Sequence, residues 1–157
     1  MRAMERPVSK DEYVALAEFR HGLRQFLRFS EGAARNHGLT PQQHQLLLAI
    51  KGFPGRDWAT VNELAERLQL QQHSVVGIIS RSEQAGFVVR LSHEEDLRVT
   101  EVHLTKEGDL VLESLTLAHR EELQRTGEFL ATVSRMLGTK PQIEDSTADE
   151  REGQPPC

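Results

Sequence analysis

The stretch Thr60–Leu104, TVNELAERLQLQQHSVVGIISRSEQAGFVVRLSHEEDLRVTEVHL, switches its hydrophobic period part-way along. Thr60-Val-Asn-Glu63 is a capping-box pattern, in which Thr60 accepts from a free backbone N–H and Glu63 reaches back. Behind it Val61, Leu64, Ala65 and Leu68 fall on one face of a short helix. A polar turn, Gln69–Gln72, leads into a second helix with Val75, Ile78 and Ile79 as its apolar positions and Gly86 as its stop. From Phe87 the period drops towards two. Phe87–Ser92 is short and β-branched, and Val99–Leu104 sends Val102 and Leu104 to one side and Glu101 and His103 to the other. His93–Asp96 is the polar turn between them, which is a β-hairpin signal. A short helix, a tight turn, a second helix and a two-stranded hairpin make a winged helix-turn-helix.

The flanks read as helices. Ser9-Lys-Asp-Glu12 is another capping box, and Val14, Ala17, Leu23, Phe26, Leu27, Ala33 and Ala34 recur at helical spacing up to Gly38. Thr40-Pro41 opens a second helix through Leu46, Leu47, Ala49 and Ile50 to Gly52, with proline at the first turn, where its missing N–H costs nothing. Phe53–Asp57 reads as a loop. Thr105 caps a long helix through Leu112, Leu115, Ala118 and Leu123. Gly127 is expected to break it, leaving a last short helix over Phe129–Leu137. The fold class is therefore mainly α with a small β-hairpin wing. One winged-helix domain is expected over 9–138, with a core over 40–104 and flanking helical segments over 9–38 and 105–138. Past Gly138 the chain is acidic and almost free of apolar residues, so 139–157 is expected to be a disordered tail.

Composition narrows the class. With 5% aromatic and 38% hydrophobic residues among 157, the core must be aliphatic and thin, a situation that favours extra burial in a dimer. The net charge of −5 argues against nucleic acid when taken alone. Lys140 and Arg151 against five carboxylates leave the tail at −3, so the rest carries only −2 and can hold a basic face. The one cysteine, Cys157, has no partner for a disulfide. Met1–Ser9 lacks the apolar run of a signal peptide, and Leu46–Ile50 is far too short to span a bilayer, so a cytoplasmic protein is expected. GxxxxGK, GxGxxG and GxSxG are all missing, which predicts no enzyme and no cofactor. CxxC, HxxxH and HExxH are missing too, and His119-Arg-Glu-Glu122 is at most a weak ligand pair, so no metal site is expected.

Four segments carry a family resemblance. They are Gly38–Leu48 (GLTPQQHQLLL), Thr60–Leu68, Arg81–Arg90 (RSEQAGFVVR), and Asp96-Leu-Arg98 followed by Val102–Thr105 and Gly108. Their order and spacing resemble the multiple antibiotic resistance regulator (MarR) family over roughly Phe19 to His119. The resemblance implies a triangular homodimer, joined by its terminal helices, with two winged domains facing successive major grooves. It implies a sequence-specific transcription regulator, a repressor relieved by a small anionic or aromatic effector, acting on a pseudo-palindromic operator in double-stranded DNA. The alternative is a winged-helix module that binds protein and not DNA, suggested by the acidic wing residues Glu94, Glu95 and Asp96.

Within that frame the first turns of the recognition helix supply Gln71, Gln72, His73 and Ser74. Glutamine can pair bidentately with adenine, and His or Ser can hydrogen-bond to base edges, although each could also serve as a cap. Gly77 departs from the family pattern, which usually has a polar or basic residue there, and a mid-helix glycine costs about 1 kcal/mol against alanine. Either it admits the DNA backbone closely or it weakens base reading. Arg98 at the wing tip suits a narrow minor groove, with Asp96 placed to hold it by a salt bridge. Arg81, Arg90 and Lys106 are phosphate candidates or plain surface charges, and the helix start at Thr60 could also receive a phosphate. Arg20, Arg24 and Arg28 form an i, i+4, i+8 stripe that could hold an anionic effector, with His21 and His44 lining the same cleft. The commoner meaning of such a stripe is a solvated face.

Overall fold

The computed structural model describes residues 7–136. In chain order it contains α1 (Lys10–Asn36), α2 (Pro41–Lys51), β1 (Trp58–Thr60), α3 (Val61–Leu68), α4 (Gln72–Gln84), β2 (Val88–Ser92), β3 (Thr100–Leu104) and α5 (Lys106–Met136). Both expected capping boxes form and a third appears at Thr40: Ser9 accepts from the Glu12 N–H, Thr60 from Glu63 and Thr40 from Gln43, and each partner side chain returns to its cap's N–H. Pro41 sits in the first turn of α2, as its fixed φ requires.

α2 is the centre of the domain. Leu46, Leu47 and Ile50 are fully buried against Leu64 of α3, Ile78 and Ile79 of α4, and Val102 of the sheet. Each such side chain contributes roughly 1.5–3 kcal/mol by leaving water, so this face holds the helix more than its propensity does. α3 and α4 are joined by a turn in which Gln69 is left-handed, with φ 53°, and the Leu70 N–H donates to the Ala65 carbonyl at 3.0 Å. α1 and α5 lie against each other and are pinned by two histidine–serine clasps. His37 Nδ1 donates to the Ala33 carbonyl one turn back, and its Nε2 hydrogen-bonds with the Ser114 hydroxyl at 3.0 Å. His119 repeats the arrangement from α5, donating to the Leu115 carbonyl through Nδ1 and hydrogen-bonding with the Ser30 hydroxyl through Nε2 at 2.8 Å.

Two expectations change. The sheet has three strands, in the order β1-β3-β2, because Trp58–Thr60 pairs antiparallel with Glu101–His103. That strand is three residues long and ends in the α3 cap, so it shows no period of its own. Gly127 does not break the last helix: α5 runs unbroken from Lys106 to Met136. One glycine costs a helix only about 1 kcal/mol, which the flanking turns absorb. Leu137, the acidic stretch 139–157 and Cys157 lie outside the described residues. Among the described residues, no helix is long and apolar enough to cross a membrane.

Gly86 and Gly108 fix the joint between the wing and α5. Gly86 has φ +83° and turns the chain from α4 into β2. Its carbonyl accepts from the Thr105 hydroxyl at 2.6 Å, and the Phe87 carbonyl accepts from the Thr105 N–H at 3.0 Å. Thr105 Oγ1 in turn caps α5 by accepting from the Gly108 N–H at 3.1 Å. A Cβ on Gly108 would overlap the Phe87 carbonyl oxygen and stand 3.1 Å from its carbon, so the backbones meet where only glycine fits.

Candidate nucleic-acid interface

α4 presents its first turns to solvent. Gln71 is the N-cap residue, and its side chain makes no capping bond, so the amide is unspent. Gln72 and His73 are exposed and Ser74 is half-buried, while Val75, Ile78 and Ile79 hold the opposite face in the core. The exposed face continues one turn on through Val76 to Arg81.

The wing tip is tied to itself. The His93 N–H donates to the Val99 carbonyl at 3.0 Å, and the Val99 N–H donates to Asp96 at 2.9 Å. Asp96 accepts from the Arg98 backbone N–H at 3.0 Å, from its Nε at 3.1 Å and from Nη2 at 3.3 Å. These side-chain and backbone bonds hold the Asp96 carboxyl below the usual carboxylate range. Arg98 remains 91% exposed, so the aspartate orients the guanidinium without covering it. Across the outer sheet face, Glu101 pairs with His103 at 2.6 Å, and Trp58 stacks on that imidazole with centroids 6.2 Å apart.

The remaining cations divide. Arg81 and Lys106 are exposed. Arg90 is not available in the same way: its guanidinium is paired with Glu83 and donates to the Ser80 hydroxyl at 2.9 Å. It ties β2 to α4. Thr60 is committed in a similar way and does not offer the phosphate site expected of it. The Glu63 carboxylate already accepts from the Thr60 N–H at 2.8 Å and from its hydroxyl at 3.0 Å, so a negative group occupies the helix end where a phosphate would sit. Burial pushes the Glu63 carboxyl up, but the Thr60 N–H and the Arg56 guanidinium outweigh it and hold it low. Arg56 is itself sandwiched between Phe53 and Trp58, 4.3 and 3.9 Å from their centroids, an arrangement the sequence reading did not single out.

The five expected effector residues do not come together. Arg20, His21 and Arg24 are exposed on α1, and Arg28 borders a separate pocket with Phe29 and His37. Only His44 lines the mostly apolar cavity of about 480 Å³ between α1, α2 and α5, with Phe26, Leu48, His119, Arg120 and Leu123. His44 is buried, with its ring centroid 4.9 Å from that of His119. Burial first, then the neighbouring His119 and His37, push its pKa down to about 4, so the ring is neutral near pH 7. The cavity walls come from two consecutive helices and from α5, which lies far along the chain from both. The one local signal was His44 and Leu48, at i and i+4 on α2, where Leu48 stays half-exposed. Among the described residues, no three His, Cys, Asp or Glu side chains are grouped to hold a metal ion.

The winged helix coincides with a known family: the model described as MarR family matches residues 37–98. The chain is 29% identical over 129 residues to the homoprotocatechuate degradative operon repressor of Escherichia coli, covering 79% of this chain and 83% of that one. It is 31% identical over 100 residues to the HTH-type transcriptional repressor MdtR of Bacillus subtilis, covering 64% and 62% respectively. The fold is that of AbsC, a MarR family regulator from Streptomyces coelicolor, with a TM-score of 0.66 and 22% identity over 85% of this chain and 93% of that one. These relatives are transcription regulators and not enzymes. Matched across its winged helix by that family model and aligned over 79% of its length with such a regulator, the chain is similar to the MarR family of winged helix-turn-helix transcription regulators.

Proposed function

We propose that the protein is a homodimeric, sequence-specific DNA-binding regulator, a repressor relieved by a small molecule. The observation that carries the DNA reading is the pairing of two exposed elements in one domain. These are the uncommitted first turns of α4, Gln71 to Ser74, and a wing whose Arg98 is oriented by Asp96 yet open to solvent. The helix suits a major groove and the guanidinium a narrow minor groove beside it. The repressors named above support repression. Tyr13, Leu16, Leu23 and Leu27 on α1 and Leu117 on α5 leave large apolar side chains exposed, which a second copy would cover. The cavity beside His44 suits a small aromatic or anionic effector, with Arg120 as its cation. A regulator of this kind would work in the cytoplasm.

Selection from a pool of random duplex DNA at moderate salt tests this reading. A two-fold symmetric site with half-sites about one helical turn apart supports it. Recovery of nothing from folded, dimeric protein would shift the assignment to a protein-binding winged helix, which the exposed Glu94 and Glu95 of the wing would suit.

A further inference from the structure

We infer that Gly77 is a notch that seats the Arg81 guanidinium on the base-reading face of α4, making Arg81 a guanine-reading residue and not a phosphate clamp. The inference rests on the DNA-binding reading above and adds the residue that sets part of the specificity. Residues 77 and 81 stand one above the other, and a helical side chain leans back over the turn before it. Arg81 does so here: a Cβ on Gly77 would be 3.3 Å from Arg81 Nη1. The guanidinium therefore lies across the place where position 77 would carry its own side chain. That place adjoins His73, one turn nearer the start of the helix, and exposed Val76.

Arg81 is also free to act. The only carboxylate on α4, Glu83, is taken by Arg90, which also donates to Ser80. Among the described residues no hydrogen bond or ion pair engages the Arg81 guanidinium. A guanidinium delivered flat against a helix with no side chain beneath it can approach a base edge more deeply than one splayed from the helix flank. Its planar fork matches O6 and N7 of guanine, the pairing that arginine makes most specifically in the major groove. The glycine that looked like a weakness of the recognition helix becomes the condition for the contact.

The test is selection from the random duplex pool with the full chain, comparing wild type, Arg81→Lys, Arg81→Ala and Gly77→Leu, each checked for native helicity. Arg81→Lys keeps the charge but loses the fork. The expected result is one G·C pair per half-site, preferred by wild type on the order of tenfold or more, whose preference disappears in all three variants. For Arg81→Lys the salt dependence of binding is expected to stay near that of wild type. Arg81→Lys retaining every preference, with Arg81→Ala weakening all sequences alike and lowering the salt slope by about one, would make Arg81 a phosphate clamp. Gly77→Leu keeping the Arg81-dependent preference would overturn the notch. Wild type selecting no sequence would remove the DNA reading itself, and the inference with it.

Discussion

Lowering the pH from neutrality should destabilise the fold through His44. An unfolded histidine takes its proton near pH 6.5, whereas folded His44 takes it only at about 4. Between those values the unfolded chain holds the extra proton, so stability is full above the unfolded pKa and is lost as the pH falls through the window. Each unit of separation is worth about 1.4 kcal/mol, so the whole window costs about 3 kcal/mol, of which about 2 is lost by pH ~5. Against a typical stability of about 5–15 kcal/mol this is a large fraction. The cause is desolvation first and repulsion second: the ring is buried between α1, α2 and α5 beside His119, with no carboxylate among the cavity residues to compensate a charge. Urea unfolding of wild type and His44→Leu, followed from pH ~7.5 to ~4, isolates the effect as a difference. Wild type should lose about 2 kcal/mol relative to the variant between pH ~7 and ~5. A difference that does not change with pH, or a His44 ring titrating in the folded protein near 6.5, would refute the reasoning.

Three further perturbations follow from the packing and the wing. Gly108→Ala drives a Cβ into the Phe87 backbone, which cannot swing aside, so it should cost about 3 kcal/mol or more, read as a lower urea midpoint. Gly22→Ala meets the Phe129 ring, with Cδ1 2.9 Å away, and a ring can move, so the cost should be only about 1 kcal/mol, and the same change made in a Phe129→Ala background should cost almost nothing. Arg98→Ala should weaken operator binding on the order of tenfold or more while sedimentation still gives a dimer. Unchanged affinity would remove the wing from DNA recognition.

The helices and the hairpin were legible because local chemistry announces them. The capping boxes at Ser9 and Thr60, the Thr40-Pro41 start and Gly86 mark boundaries that depend only on neighbouring residues. β1 was hidden because its partner, Glu101–His103, is some forty residues away and three residues carry no period. Gly127 misled because propensity is a small term in a helix of 31 residues. At the site, the Asp96–Arg98 bond was readable from a spacing of two in a tight turn. The fate of Thr60 was already implied by its capping box with Glu63, which fills the helix start, whereas that of Arg90 was not, because Glu83 approaches it only once α4 and β2 have packed. The cavity was beyond reach for the same reason, and the arginine stripe on α1, visible as a pattern, proved to lie elsewhere.

The position of His44 bears on how an effector would act. α2 turns one face to the cavity through His44 and Leu48, and the other to α3 and α4 through Leu46, Leu47 and Ile50. A ligand in the cavity therefore presses on the helix that seats the recognition element, with no intervening segment. Contact alone does not regulate: a ligand shifts an equilibrium only by the difference in its affinity for the two arrangements. An anionic group beside His44 supplies such a difference. It favours a protonated ring that the empty cavity disfavours, so it would bind with uptake of a proton and more tightly as the pH falls. An uncharged aromatic ligand would rest on the neutral ring and on Phe26 and bind without that pH dependence. The proton uptake on binding, read by calorimetry in two buffers of different ionisation enthalpy, therefore distinguishes the two classes of effector before either is identified.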